Sequence, residues 1–275
     1  MAKAAVRDVH LWYKLTGAGP PLVQIGGAVS AHEGYTAITE AMAEQFTVLD
    51  YDHRGYGQSD RPAGQKYDLD LWVDDLAALL QSLEIPRIHV HGGSMGGFIA
   101  TRFAARYPER VERLVIGGAV AKCDRMSRTQ FSIWKALSDA YGVDSEELAL
   151  HLTTQAFSRT YLDSLGDAAV DEMREVTARN VTKDVFAAAC DLMITTDTRQ
   201  ELQNIQAPTL VMVGEEDVIT PLDAGPDGAG ARFMAEQIPD AELCVLAGCG
   251  HGNLVERADE SIQRIIDFLL RPENG

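Results

Sequence analysis

Positive charge is scarce in this chain of 275 residues: 24 Lys and Arg stand against 41 Asp and Glu, a formal net charge of −17. A surplus of that sign repels phosphate backbones and anionic lipid faces, which argues against nucleic-acid and membrane-surface partners. No apolar run approaches the ~18 to 20 residues of a bilayer span. The opening Met1-Ala2-Lys3-Ala4-Ala5-Val6-Arg7-Asp8 has no apolar core of signal-peptide length, so a cytoplasmic protein is expected. Cysteine is sparse as well. Cys123, Cys190, Cys244 and Cys249 form no CxxC pair and read as reduced thiols, with Cys249 a small filler in a turn. Repeats, low-complexity tracts, metal-ligand clusters and nucleotide fingerprints are missing, and no cofactor is implied. At 46% hydrophobic and 24% charged residues, the composition is that of a globular chain, so disordered, collagen-like and coiled-coil classes fall away.

What is present is alternation. Short Val, Ile and Leu runs bounded by Gly or Pro recur at Leu22 to Ile25, Phe46 to Tyr51, Ile88 to Val90, Leu114 to Ile116, Leu210 to Val213 and Leu243 to Leu246. Such runs suit parallel strands buried on both faces. Helical spacing lies between them: residues 67–84 put Leu69, Trp72, Val73, Leu76, Leu79, Leu80 and Leu83 on one face, and residues 255–270 repeat the pattern. Strands alternating with helices predict an α/β fold with a mostly parallel central sheet flanked by helices. From about 121 to 205 no strand is evident, and helical spacing recurs in Phe131-Trp134-Leu137, Leu148-Leu152 and Phe186-Cys190-Met193-Ile194. We read residues 121–205 as a helical cap inserted after the sixth strand, between core segments 1–120 and 206–275. The Gly-rich piece Asp223 to Gly230 reads as a soft loop.

The sharpest motif is Gly92-Gly93-Ser94-Met95-Gly96, a G-x-S-x-G placed between the strand Ile88 to Val90 and an apolar helix face containing Phe98, Ala100 and Phe103. Gly92 and Gly96 suit a turn too tight for side chains, whose strain lifts the Ser94 hydroxyl into the open. The bland alternative, a Gly-rich phosphate turn, lacks a Walker lysine and suffers from the acidic charge.

A serine hydroxyl is a poor nucleophile at neutral pH and needs a base and a group to orient it. His251, in Gly250-His251-Gly252, follows the last strand. Asp217 ends the strand Leu210 to Val213 beside Glu215 and Glu216. A parallel sheet brings Ser94, Asp217 and His251 to one edge, after strand C-termini. Asp124 is a second place from which an acid could reach the imidazole. Asp217 is favoured because the turn Val218-Ile219-Thr220-Pro221 should expose its carboxylate and not those of its two predecessors. His10, His32, His53, His89, His91 and His151 read as packing or solvent residues. For an oxyanion hole, the Met95 amide supplies one donor, and the loop Gly26-Gly27-Ala28-Val29 supplies a second, from Gly27 or its neighbour Ala28.

These motifs resemble the α/β-hydrolase superfamily over nearly the whole chain, in particular serine-nucleophile esterases, enol-lactonases and methylesterases. The resemblance extends to Asp52-His53-Arg54-Gly55-Tyr56-Gly57-Gln58-Ser59 and to Tyr107-Pro108-Glu109-Arg110-Val111. It implies that Asp52 and Arg54 hold a turn and take no part in catalysis. Members often have His-Gly in the oxyanion loop, where this chain has Ile25-Gly26 or Gly26-Gly27. Carbon-carbon hydrolases of ring-fission products often carry an aromatic after the catalytic His, where this chain has Gly252.

The reading that results is hydrolysis of an ester or lactone of a small-molecule substrate through an acyl-enzyme. Trp134, Phe131, Phe157, Tyr161 and Met193 are the cap residues expected against an apolar substrate, although helical spacing alone would place each in the cap core. The acidic field favours neutral substrates, unless Arg125 or Arg128 overrules it. Carbon-carbon hydrolysis and a ligand-binding receptor on the same fold are the alternatives, and a homodimer is left open.

Overall fold

The computed structural model describes residues 2–166 and 168–272. Eight strands form one sheet: β1 (Ala2–Val6), β2 (Val9–Thr16), β3 (Pro21–Ile25), β4 (Thr47–Tyr51), β5 (Ile88–Gly93), β6 (Val111–Gly117), β7 (Thr209–Gly214) and β8 (Ala241–Leu246). Their spatial order is β1-β2-β4-β3-β5-β6-β7-β8. From β4 to β8 every pairing is parallel, while β1–β2 and β2–β4 are antiparallel. The six strands expected from the sequence are all present. The β1–β2 hairpin was not expected, because a strand exposed on one face alternates apolar with polar residues and has no continuous apolar run. In β2, Val9 and Leu11 are buried while His10 faces solvent.

Eleven helices accompany the sheet among the described residues. On the core are α1 (Thr36–Met42), α2 (Leu69–Ser82) and α3 (Met95–Arg106). Between β6 and β7 lie α4 (Arg125–Tyr141), α5 (Glu146–Ala156), α6 (Arg159–Leu165), α7 (Ala168–Asn180) and α8 (Lys183–Thr195). The chain ends with α9 (Ala231–Gln237), α10 (Asn253–Glu256) and α11 (Ala258–Leu269). Asp68 starts α2 by accepting the Leu71 amide at 2.8 Å, which satisfies one of the first-turn donors. The helix expected over 255–270 is broken at Arg257, where the backbone leaves the helical region. No helix among the described residues is long and apolar enough to cross a membrane.

Side-chain alternation divides the core between the two faces of the sheet. Val23, Leu49, Val211 and Val213 pack with α2 and α3 residues such as Leu76 and Phe103. Leu22, Val48, Leu210 and Met212 pack with Met42 of α1 and Ile265 and Phe268 of α11. Burial on both faces is why these strands read as unbroken apolar runs.

Asp52 and Arg54 do hold the turn after β4: Asp52 accepts the amides of His32 and Gln58, each at 2.8 Å, and Arg54 forks onto buried Asp75 at 2.7 and 2.8 Å. The 223–230 loop, by contrast, is pinned. Gly225 donates to Asp124 at 2.8 Å, and Ala229 exchanges backbone hydrogen bonds with Lys122.

Candidate active site

Strand β5 runs into α3 through Ser94, whose φ of 55° lies in the left-handed region that side chains avoid. The chain tolerates this because glycines flank it. A Cβ on Gly92 would strike the carbonyl of Gly96, and one on Gly96 would strike the carbonyl of Ile25 in β3. The Ser94 amide donates to Gly117 of β6 at 2.8 Å, which fixes the turn to the neighbouring strand. Ser94 thus sits at the N-terminus of α3, with the Met95 amide among the unpaired donors of the first turn.

The loop after β8 carries His251, and the turn after β7 carries Asp217. The imidazole Nδ1–H donates to Asp217 Oδ2 at 2.9 Å. Asp217 Oδ1 accepts the Ile219 and Thr220 amides at 2.8 and 2.9 Å, and Thr220 Oγ1 donates to Oδ2 at 2.8 Å. The expected exposure of this acid is inverted: Asp217 is 4% exposed, whereas Glu215 and Glu216 face solvent. The turn folds its own amides around the carboxylate and turns it toward the imidazole. Asp124, the other acid considered, caps α4 through Ser127 and holds Gly225, and no hydrogen bond links it to His251.

Burial works to lower the His251 pKa, but the charge and hydrogen bond of Asp217 outweigh it and leave the imidazole above its ordinary value. With Nδ1 protonated, Nε2 carries the lone pair. Glu256 of α10 holds the loop from behind, accepting the Gly250 amide at 2.8 Å and the Ser158 amide and hydroxyl at 3.0 and 2.6 Å.

Ser94 and His251 line one cavity of about 190 Å³. Among the described residues no hydrogen bond joins the two side chains. The other walls are mostly apolar: Val29, Tyr35 and Ile38 from the β3–α1 segment, Trp134, Leu152, Ala156 and Met173 from the helices between β6 and β7, and Ile219, Leu254 and Val255. Neither lysine nor arginine is among the described residues lining it. Arg125 is exposed, and Arg128 donates to the Cys123 carbonyl at 2.7 Å, so neither reaches the cavity. A larger groove of about 550 Å³, lined by Arg87, Arg113 and Arg271, opens at the opposite strand ends, away from Ser94.

Of the five cap residues expected against a substrate, Trp134 lines the cavity. Phe131 and Met193 are fully buried in the core instead, as their helical spacing also allowed. Phe157 and Tyr161 pack on each other, and Phe157 lies against Gly252, where an added Cβ would be 2.7 Å from the ring. Leu152, Ala156 and Met173 take their place on the wall. Nothing in the helical pattern separates them from other inward residues, because only the packing of α5 on α7 turns them over Ser94. Thr220 also escaped the sequence reading, although Asp-x-x-Thr in a turn is a signal for this kind of side-chain hydrogen bonding.

The glycine loop lies beside the serine as expected. An added Cβ on Gly27 would be 3.3 Å from Ser94 Cβ and 3.7 Å from its Oγ. The Gly27 amide, however, already donates to the Tyr35 hydroxyl at 3.3 Å. Ala28 lines the cavity one residue further on.

Known proteins resemble this chain over nearly its whole length. A 2-hydroxymuconate semialdehyde hydrolase of Pseudomonas sp. (strain CF600) is 29% identical over 271 residues, 94% of this chain and 89% of that protein. A 2-hydroxy-6-oxo-2,4-heptadienoate hydrolase of Pseudomonas putida is 28% identical, covering 92% and 90%. The crystal structure of the enol-lactonase from Burkholderia xenovorans LB400 superposes with a TM-score of 0.86 at 26% identity, over 98% of this chain and 100% of that one. The family described as the alpha/beta hydrolase fold matches residues 20–258, so this chain belongs to the α/β-hydrolases.

Proposed function

We propose that this α/β-hydrolase cleaves a carboxylic ester or lactone of a small, largely apolar and uncharged substrate through an acyl-enzyme. One observation carries the reading: an imidazole fixed by a buried carboxylate stands on the wall of the cavity that holds a serine at positive φ. His251 Nε2 takes the Ser94 proton as Oγ bonds to the substrate carbonyl carbon, and the carbonyl π pair moves to oxygen. On collapse that pair reforms the C=O bond, the C–O bond to the alcohol breaks, and His251 protonates the leaving oxygen. Water, deprotonated by the same imidazole, then attacks the acyl carbon; the acid departs and Oγ regains its proton. Asp217 holds the tautomer and offsets the imidazolium charge. The helical segment 121–205 roofs the cavity, with Trp134 the aromatic wall for the acyl or alcohol group.

Carbon-carbon hydrolysis is the second reading, supported by the names of the two Pseudomonas relatives. A heptadienoate is an anion, and a mostly apolar cavity with no lysine or arginine among its described lining residues gives it poor compensation for lost hydration. The nearest aromatic to Gly252 is Phe157 of the cap, which occupies the space a side chain at 252 would need.

The test is turnover of a panel of aryl esters, lactones and a 2-hydroxy-6-oxo-dienoate by the wild type and Ser94→Ala. We expect at least about 1 s⁻¹ on a neutral ester or lactone, none with Ser94→Ala, and a retained fold. Unchanged hydrolysis by Ser94→Ala refutes the mechanism. Preference for the dienoate selects the second reading, and ligand binding without turnover on any of these selects a receptor.

A further inference from the structure

Tyr35 lines the cavity with Ser94, and the mechanism above leaves its hydroxyl without a task. It stands at the start of α1, and its ring and hydroxyl reach back into the turn that surrounds the nucleophile. Three glycines converge on it. The Gly27 amide donates to Tyr35 Oη at 3.3 Å, an added Cβ on Gly93 would be 3.7 Å from the same oxygen, and one on Gly26 would be 3.6 Å from the ring. Gly93 immediately precedes Ser94, and Gly27 faces the Ser94 side chain. The phenol oxygen is therefore seated among the glycines that surround Ser94.

A hydroxyl that accepts one hydrogen bond still has its own proton to give. We propose that Tyr35 Oη–H is the second oxyanion donor, beside the Met95 amide, and that the Gly27 amide positions the phenol and does not bind the oxyanion itself. The inference rests on the serine mechanism and deepens it. No proton changes owner: the O–H donates to the tetrahedral oxygen and keeps its hydrogen as charge forms and collapses. Burial pushes the phenol pKa up against the opposing effects of the Gly27 amide and the Ser30 side chain, so the donor stays protonated across the working range of an imidazole base. A donor fixed before the reaction is the arrangement that favours a transition-state charge over a ground-state carbonyl.

The experiment compares wild type, Tyr35→Phe and Ser94→Ala on one neutral aryl ester, together with the rate at which an aryl phosphonate labels Ser94. Tyr35→Phe is expected to lower kcat by about 10²- to 10³-fold with KM changed only a few-fold. Phosphonylation should slow in parallel, with the thermal midpoint kept. A kcat that is unchanged or raised overturns the proposal, because the phenol would then be packing or a plug on the Gly27 amide. A loss confined to KM, or to the amount of folded protein, also counts against it. The crystal structure of the phosphonylated wild type decides independently of any variant. Tyr35 Oη within about 3.2 Å of the phosphonyl oxygen is expected, and that oxygen on the Gly27 amide with the phenol displaced refutes the assignment. Turnover that survives Ser94→Ala removes the serine mechanism and this role with it, whereas loss in Ser94→Ala alone leaves the mechanism standing and removes only the phenol.

Discussion

Asp217→Asn probes the contact on which the proposed base depends. The carboxylate bonds to His251 Nδ1 at 2.9 Å and is almost wholly screened from solvent. When His251 takes the Ser94 proton, an imidazolium forms beside that carboxylate. Two unit charges about 4 Å apart attract by about 4 kcal/mol at the effective dielectric of a protein interior, and each 1.36 kcal/mol is tenfold in rate. The substitution should therefore lower kcat by about 10³-fold, and more if the new amide donates to Nδ1 and forces the proton onto Nε2. The pH profile adds a second readout with a defined sign. The base works when neutral, so wild-type kcat/KM should rise with pH through a His251 pKa above the ordinary value. With the carboxylate charge gone, burial remains and pulls the pKa down, so the acid limb should move to lower pH while the plateau falls. Stopped-flow or steady-state hydrolysis of an aryl ester from pH 5 to 9 measures both. A loss under tenfold, or an acid limb that moves up, would refute the assignment of Asp217 to His251.

The elbow and the buried histidines make two further predictions. In Gly96→Ala the new methyl would meet the Ile25 carbonyl carbon at 2.7 Å and the Gly26 oxygen at 2.8 Å, both backbone. It should cost at least about 1 to 3 kcal/mol by urea unfolding and displace Ser94 enough to depress kcat, and a neutral result would mean that β3 can yield. His91 is fully enclosed, and burial pushes its pKa down to about 4. The unfolded chain binds that proton near 6.5 and the folded one only near 4, so stability is lost as pH falls through this window, by about 3 kcal/mol. His91→Asn should flatten urea-derived stability between pH 6.5 and 4 relative to wild type, and an unchanged slope would show that His91 is not held neutral.

The order of strands and helices, the elbow and the positions of His251 and Asp217 were legible because each has a local cause. A strand buried on both faces must be continuously apolar, as Leu210 to Val213 is, and a turn that presents Ser94 at positive φ must be flanked by glycine. The β1–β2 hairpin lacked that signature, since a half-exposed antiparallel pair shows only weak alternation. The orientation of Asp217 was misread for a different reason. A turn sequence tells that a carboxylate can leave the chain direction, but not whether solvent or an imidazole 34 positions later receives it.

By itself, then, the sequence determined which residues are chemically equipped to act and on which kind of scaffold, because periodicity, glycine and strand ends act through neighbours in the chain. Only the tertiary structure decided which of them meet. It buried Phe131 and Met193, gave the cavity wall to Trp134, Leu152, Ala156 and Met173, and closed Tyr35 onto the Gly27 amide. Those outcomes depend on how helices far apart in sequence pack against one another, and no local pattern encodes which inward-facing side chain ends at a void and which ends at another side chain.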